Sequence, residues 1–493
     1  MSPARCYAVG LFFITFAVSH LLTSSINRPI EGLVEDDQFR RAGGANVGWQ
    51  GKRLRVMTDE RGHFRLPMSF PSGRLVATKP GYRIASVRDP DEPFVLQLAR
   101  LPYLDDSGYK WIDPHRDATK SENCANCHDE IYREWRGSAH ARSAVNPKFR
   151  SLYSGDNGKQ PALEKWNVQK EHPFGSGVCI KCHVPTFESY VLEDLHSMND
   201  VQKSGIHCDY CHKVSDVPTG KFGTRFGHDA LTFLRTIDDD LVTFGPLNDA
   251  LRKGESFAFS PVYKESRYCA SCHEGTVFGV HAYGTYSEWL DSPAKAKGKQ
   301  CQDCHMAPTG TMTNIAPGKG GIERDPRTLA SHHTPGAQID MLRKAVSLKM
   351  DVKNAALGRR VEIEITAANV GHRVPTGFPD RQLLLVVTAK QGALLEGSRL
   401  PKSAGNWAGL PGSLFAKQLH NEHGRSPIPF WLHVDKVEDT RLFPERPERR
   451  TFLFAPETSG VTAQLWYRRF WHEVAVMRGW KDNDLLIVEQ FEN

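Results

Sequence analysis

Residues 205–213 read GIHCDYCHK: two cysteines separated by two residues, a histidine directly after the second and another directly before the first. Taken alone, the stretch fits half a zinc clamp, a disulfide hairpin or a covalent haem anchor. The rest of the chain decides among them. Five C-x-x-C pairs occur, Cys124/Cys127, Cys179/Cys182, Cys208/Cys211, Cys269/Cys272 and Cys301/Cys304, and each is followed at once by a histidine: His128, His183, His212, His273 and His305. With 11 Cys and 21 His in 493 residues, chance supplies on the order of 0.01 such pentapeptides. A disulfide scaffold does not require a histidine after every pair. Structural zinc usually takes two pairs per ion, and five pairs do not divide that way. Covalent haem c uses all three residues, because the thiols become thioethers to the porphyrin vinyl groups and the histidine reaches the iron from one face. The expectation is five covalently bound haem c groups.

Haem attachment of this kind belongs to exported proteins, and the N-terminus agrees. Arg5 precedes an apolar run from Tyr7 to Leu22, followed by Thr23, Ser24 and Ser25. Residues 1–25 read as a secretory signal or an N-terminal anchor, too short for a comfortable membrane span and interrupted by His20. A periplasmic or extracytoplasmic location follows. The formal charge of +6 is mild for this length and gives no reason to expect nucleic acid as a partner.

The length suggests two to four domains. Residues 28–103 lack cysteine and show short alternating apolar runs between Gly, Pro and Asp turns, the pattern of a small β-sandwich. Residues 104–343 hold all five motifs, with DEIYREWRG reading as a helix leaving the first and much of the remainder as loop. Residues 344–493 turn β-rich again, in runs such as RRVEIEITAANVG and RQLLLVVTAK, and read as a second β-sandwich with HNEHGRSPIPFWLH as a loop or insertion. The fold class is multidomain: N-terminal sandwich, central α/loop haem domain, C-terminal sandwich-like domain.

The second axial ligand of each iron decides what it does, since a strong ligand gives an electron-passing centre and an open position admits substrate. The candidates are His140 in WRGSAHARS, His332 and His333 in ASHHTPG, His372 in the Gly/Pro-clamped loop GHRVPTGFPDR, His228 at a helix start, and His207. His207 is too close to Cys208 to reach the far side of its own iron, so its role is a question about a neighbouring haem. His281, His115, His172 and His196 are weaker candidates. Met306 directly follows His305, cannot fold back onto the same iron, and is expected against a porphyrin edge.

CANCHDEIYREWRGSAHA at 124–141 resembles the opening of the multihaem cytochrome family that includes the electron acceptor of hydroxylamine oxidoreductase (cytochrome c-552/c-554-like), and CQDCHM, SHHTPG and GHRVPTG resemble segments of related exported cytochromes. The resemblance implies that His140 is a distal haem ligand. The best-known relative has four haems, one lacking a second protein ligand, whereas five motifs stand here. Separately, IEGLVEDD, TDERGHFRLP and VATKPGYRIA resemble the carboxypeptidase regulatory-like domain, a transthyretin-like sandwich that usually serves as an accessory module.

Two functions follow from different chemistries. One is electron transfer between redox partner proteins, with a membrane complex as a further partner. The other is an oxidoreductase acting on a small nitrogen or sulfur compound at a five-coordinate haem, with Arg133, Arg136, Arg142 and Lys213 at hand to polarise substrate. A docking role for the N-terminal region is compatible with the first. Catalytic residues are not assigned from sequence.

Overall fold

The computed structural model describes residues 29–493 except 69, 71–72, 89–93, 157–162, 188–194 and 237–240. The expected signal or anchor at 1–25 lies outside the described residues. Among the described residues no helix is long and apolar enough to cross a membrane.

The N-terminal region is two sheets sharing one core. Ile30–Asp36 is the middle strand of three, antiparallel to His63–Leu66 and parallel to Phe94–Leu98. Asn46–Trp49, Arg55–Met57, Arg74–Thr78 and Ala85–Arg88 form the second sheet. His63–Leu66 and Phe94–Leu98 alternate strictly between exposed and buried, as the two-residue period of a half-buried strand demands. Val34, Phe64, Leu96 and Leu98 of one sheet meet Val47, Trp49, Leu75 and Ala77 of the other.

The C-terminal region repeats this plan on a larger scale. Val346–Ala355, Gly358–Ala367, Pro447–Phe454 and Leu394–Glu396 form one sheet. Lys436–Asp439, Gly412–His420, Gln382–Gln391, Ser459–Arg468 and Asp484–Glu492 form the other. The apolar run in Gln382–Gln391 is explained by burial on both faces. Leu383, Leu385 and Val387 enter the core between the sheets, while Leu384 and Val386 lie under Leu400 and Ala404.

Between the sheet-rich regions the chain forms short helices, loops and three two-stranded pairs, among them Val242–Gly245 with Ser256–Phe259. The small strand pairs are an addition to the α/loop expectation. Both flanking regions grip this centre. Ile84 donates its backbone N–H to Phe257 O at 2.8 Å. Asp249, 3% exposed, accepts from Gly51 N at 2.7 Å and pairs with Arg324 at 2.8 Å. From the other side, Leu419, Ile428, Phe430, Trp431, Trp471 and Val474 share a core with Phe149, Leu152, Tyr153, Ile180 and Val184 around the second motif. Part of the stretch read as a loop, Ile428–Trp431, is therefore core.

Candidate haem-binding site

Four of the five motifs close a short α-helix: Gly177–His183, Cys208–His212, Arg267–His273 and Cys301–His305. In a helix, positions i, i+3 and i+4 share one face, so the spacing C-x-x-C-H puts both thiols and the imidazole on the same side. The first motif does this with the 3₁₀ turn Cys124–Asn126, closed by His128 N–H to Cys124 O at 3.0 Å. The helix expected after it runs Asp129–Gly137, and its Trp135 donates to Ile206 O at 2.8 Å.

All ten motif cysteines line a single cavity of about 1940 Å³. That is well beyond the ~300–1,000 Å³ of a pocket for one small ligand. None of the ten is disulfide-bonded. Among the described residues no three His, Cys, Asp or Glu side chains converge in a way that would hold a bare metal ion. Thiol contacts show how the motifs adjoin. The Cys124 thiol lies close to that of Cys208, Cys182 to Cys272, and Cys269 to Cys301. Cys211 and Cys272 lie within electrostatic reach of each other. The first motif therefore touches the third, the third approaches the fourth, and the fourth touches both the second and the fifth. The second and third motifs, close in sequence, are not the ones in thiol contact.

Nine histidines line the cavity: the five of the motifs and His140, His207, His332 and His372. Burial holds His273 down to about 3 and His207 and His332 to about 4, and lowers His140, His183, His212 and His372 as well. These imidazoles are neutral, the state in which a ring nitrogen offers a lone pair to a metal. Many are oriented through the other nitrogen. The Nδ1 atoms of His128, His212 and His305 meet the carbonyls of Ile315, Phe244 and Pro335 at 2.8, 2.6 and 2.7 Å. His183 meets Ser143 O at 3.2 Å and His372 meets Arg373 O at 3.0 Å. Such a bond fixes the tautomer with Nε2 free, as metal-ligating histidines require.

Two ring pairs stand out. His305 and His372 have ring centres 6.2 Å apart, and His140 and His273 6.4 Å. A metal midway between two imidazole nitrogens, about 2.0–2.1 Å from each with about 1.1 Å more to each ring centre, sets the centres about 6.3 Å apart. His332 lies within electrostatic reach of both His128 and His212. His207 is fully buried with no partner for Nε2, its ring 6.1 Å from that of Trp111. His332 likewise keeps a buried Nδ1 without a partner. These orphaned nitrogens, the ten thiols and the ring spacings fit haem c.

His183 differs. Its ring neighbour among the described residues is Phe149, stacked at 4.1 Å, and Phe149 shares a core with Tyr153, Phe430 and Trp431. Among the described residues nine histidines line the cavity, one fewer than two for each of the five motifs.

The remaining candidates lie outside the cavity lining. His333 is exposed, 3.8 Å from Glu134, while its neighbour His332 turns inward. His228 stacks on Phe233 at 4.6 Å and its Nδ1 meets Pro185 O at 3.1 Å. His281 pairs with Glu274, His115 with Asp113, His172 lies against Phe278, and His196 contacts Arg150. Met306 lines the cavity. Of the polar residues considered for substrate, Arg142 and Lys213 line it, Lys213 being committed to Val242 O and Asp209. Arg133 is an exposed partner of Asp129, and Arg136 is exposed. Phe430 and Trp431 were not legible as site residues, because nothing local marks a loop aromatic as a haem wall.

The opening stretch also backs His140. Gly205 has φ +61°, and a Cβ there would sit 2.7 Å from His140 O. Ile206 N–H donates to that same carbonyl at 3.1 Å. The glycine lets the third motif close onto the backbone of His140.

Residues 123–213 match the family described as Cytochrome c554 and c-prime. No curated protein matches the chain. In fold, the chain is similar to a penta-heme cytochrome c552 from Thermochromatium tepidum, with 21% identity, a TM-score of 0.54, and coverage of 76% of this chain and 98% of that one. Likeness in sequence over the first three motifs, and in fold over most of the chain, supports a multihaem c-type cytochrome.

Proposed function

We propose that the protein is an exported electron carrier holding five haem c groups, on the observation that ten motif cysteines and nine histidines line one cavity. Bound there, haem c supplies a one-electron iron couple. The chain does the rest. His128, His183, His212, His273 and His305 are the proximal ligands. His372 pairs with His305 and His140 with His273, on their ring spacings. His207 and His332 serve the first and third irons. His207 cannot reach across its own site, so it goes to the first and His332 to the third. The thiol contacts order the attachment sites first–third–fourth–fifth, with the second joined at the fourth. Burial among aromatic and backbone groups holds the imidazoles of His140, His183, His207, His212, His273, His332 and His372 neutral.

We read 28–103 as a carboxypeptidase regulatory-like sandwich, 104–343 as the pentahaem domain and 344–493 as a second sandwich that also walls the haem cavity. Redox proteins, and a membrane complex for the docked N-terminal region, are the partners this reading calls for. Residues 1–25 serve as signal or anchor, which places the protein in the periplasm or another extracytoplasmic space.

His183 favours a second reading, in which an iron without a second imidazole acts on a small nitrogen or sulfur compound. A pyridine haemochrome assay and low-temperature EPR test both. Five covalent haems with one high-spin ferric signal in five are expected; fewer covalent haems overturn the count, and low-spin signals alone overturn the open site. Turnover of nitrite or hydroxylamine at that iron would replace the carrier reading with the enzyme.

A further inference from the structure

The loop that presents His372 is held by a buried ion pair reaching in from two regions of the chain. Glu288 comes from the central helix Thr285–Leu290, whose Tyr286 and Trp289 line the haem cavity. Arg441 follows the strand Lys436–Asp439 of the C-terminal region. Their side chains are 8% and 5% exposed, and they meet at 2.7 Å.

What they grip is the segment just after the histidine. One oxygen of Glu288, Oε2, accepts from the backbone N–H of Arg373 at 3.2 Å and from the hydroxyl of Thr376 at 2.6 Å. Arg441 donates to Pro375 O at 3.2 Å while two of its nitrogens hold Asp439 at 2.9 and 2.7 Å. Thr376 also shares a hydrogen bond with Thr285 at 2.9 Å. Val374 and Leu442 exchange backbone bonds at 3.0 Å in each direction. The four residues after His372 are thus tied at every position, and a carboxylate from the cavity-lining helix makes two of the ties.

A buried ion pair is a poor source of stability compared with apolar residues of the same shape. Its value lies in geometry: a carboxylate accepting several bonds fixes the atoms that donate them. Resting on the reading that His372 is the second ligand paired with His305, we propose that Glu288 is the positioning residue of that ligand. It holds the 373–376 loop so that the His372 ring stays opposite His305, and its negative charge behind the ligand favours the oxidised state of that one iron.

The two roles separate by substitution. Both loop donors use the same oxygen of Glu288, so Glu288→Gln keeps an acceptor for them while it removes the charge and the oxygen that faces Arg441. Glu288→Ala removes the acceptor and the charge together, and Thr376→Val removes the hydroxyl's bonds to Glu288 and Thr285 with little change in size. In the haem-loaded full-length protein, Glu288→Ala should move one haem in five from low-spin to high-spin in EPR, and Thr376→Val should move part of that haem in the same direction. Glu288→Gln should stay low-spin but show one midpoint potential shifted upward with the others unmoved. Wild-type EPR in both Glu288→Ala and Thr376→Val, or an unmoved potential in Glu288→Gln, overturns the proposal. If Glu288→Ala does not accumulate as folded protein with its haems, the other two variants decide. His372→Ala is the control. If it leaves the spectrum unchanged, the ligand reading itself fails; if it creates a high-spin haem while the Glu288 and Thr376 variants do not, only the positioning role fails.

Discussion

The imidazoles of His305 and His372 face each other across the haem cavity with ring centres 6.2 Å apart and planes 19° from parallel. One ends a motif helix in the centre of the chain and the other rides a loop of the C-terminal region, so both regions contribute to the site. The same relation, at 6.4 Å and 58°, joins His140 to His273.

His140→Ala should convert the haem of the fourth motif, and no other, to high-spin. Gly205→Ala should reproduce this in part. An alanine there must keep φ near +61° and place its Cβ against His140 O, a strain of about 1–3 kcal/mol that moves the ligand's backbone. EPR of the two variants checks both, and a Gly205→Ala spectrum like wild type would show that the loop tolerates the methyl.

His332 and His333 are adjacent, yet only the first lines the cavity. His332→Ala should therefore change one haem's spin state, while His333→Ala should lose only a 3.8 Å contact of an exposed ring with Glu134 and shift stability by less than about 0.5 kcal/mol. The reverse pattern in EPR would reassign the ligand.

Asp249 holds the N-terminal region onto the haem-bearing centre. Asp249→Ala leaves Arg55 and Arg324, 10% and 11% exposed, without their shared carboxylate. Breaking such a pair costs about 3–5 kcal/mol. Limited proteolysis should release the region before residue 104 faster than in wild type, with the haem spectrum unchanged.

Asp380 gives a pH dependence of known sign. It is buried, with Oδ1 lacking a partner, and burial pushes its carboxyl up to about 7 from an ordinary value of about 3.9. Between these values the folded chain keeps a proton that the unfolded chain releases. The contribution to stability is thus full below about pH 4, falls as pH rises, and is lost above about pH 7. Thermal unfolding across this range should show the decline, and Asp380→Asn should flatten it.

Attachment was legible because it is local: C-x-x-C-H writes a cofactor's covalent geometry into one helical turn, and five repeats leave little else to explain them. Sheet-rich ends and a helical centre were legible from the periods of burial. His140, His372 and one of His332 and His333 were readable as candidates from their Gly, Pro and polar surroundings, although nothing there separated His332 from His333, and His228 stayed a weaker candidate beside them. No local signal separates a histidine turned into a cavity from one turned away by a single residue.

The sequence by itself determined that five C-x-x-C-H motifs stand in the chain and which cysteines and histidines form them, since each motif spans only five residues. Tertiary structure alone decided which histidines line the cavity, that His305 lies beside His372 and His140 beside His273, that the second motif adjoins the fourth, and that His183 stacks on an aromatic ring. These relations join residues tens to hundreds of positions apart. They depend on how the centre and the C-terminal sheets close on one cavity, which no pattern along the chain encodes.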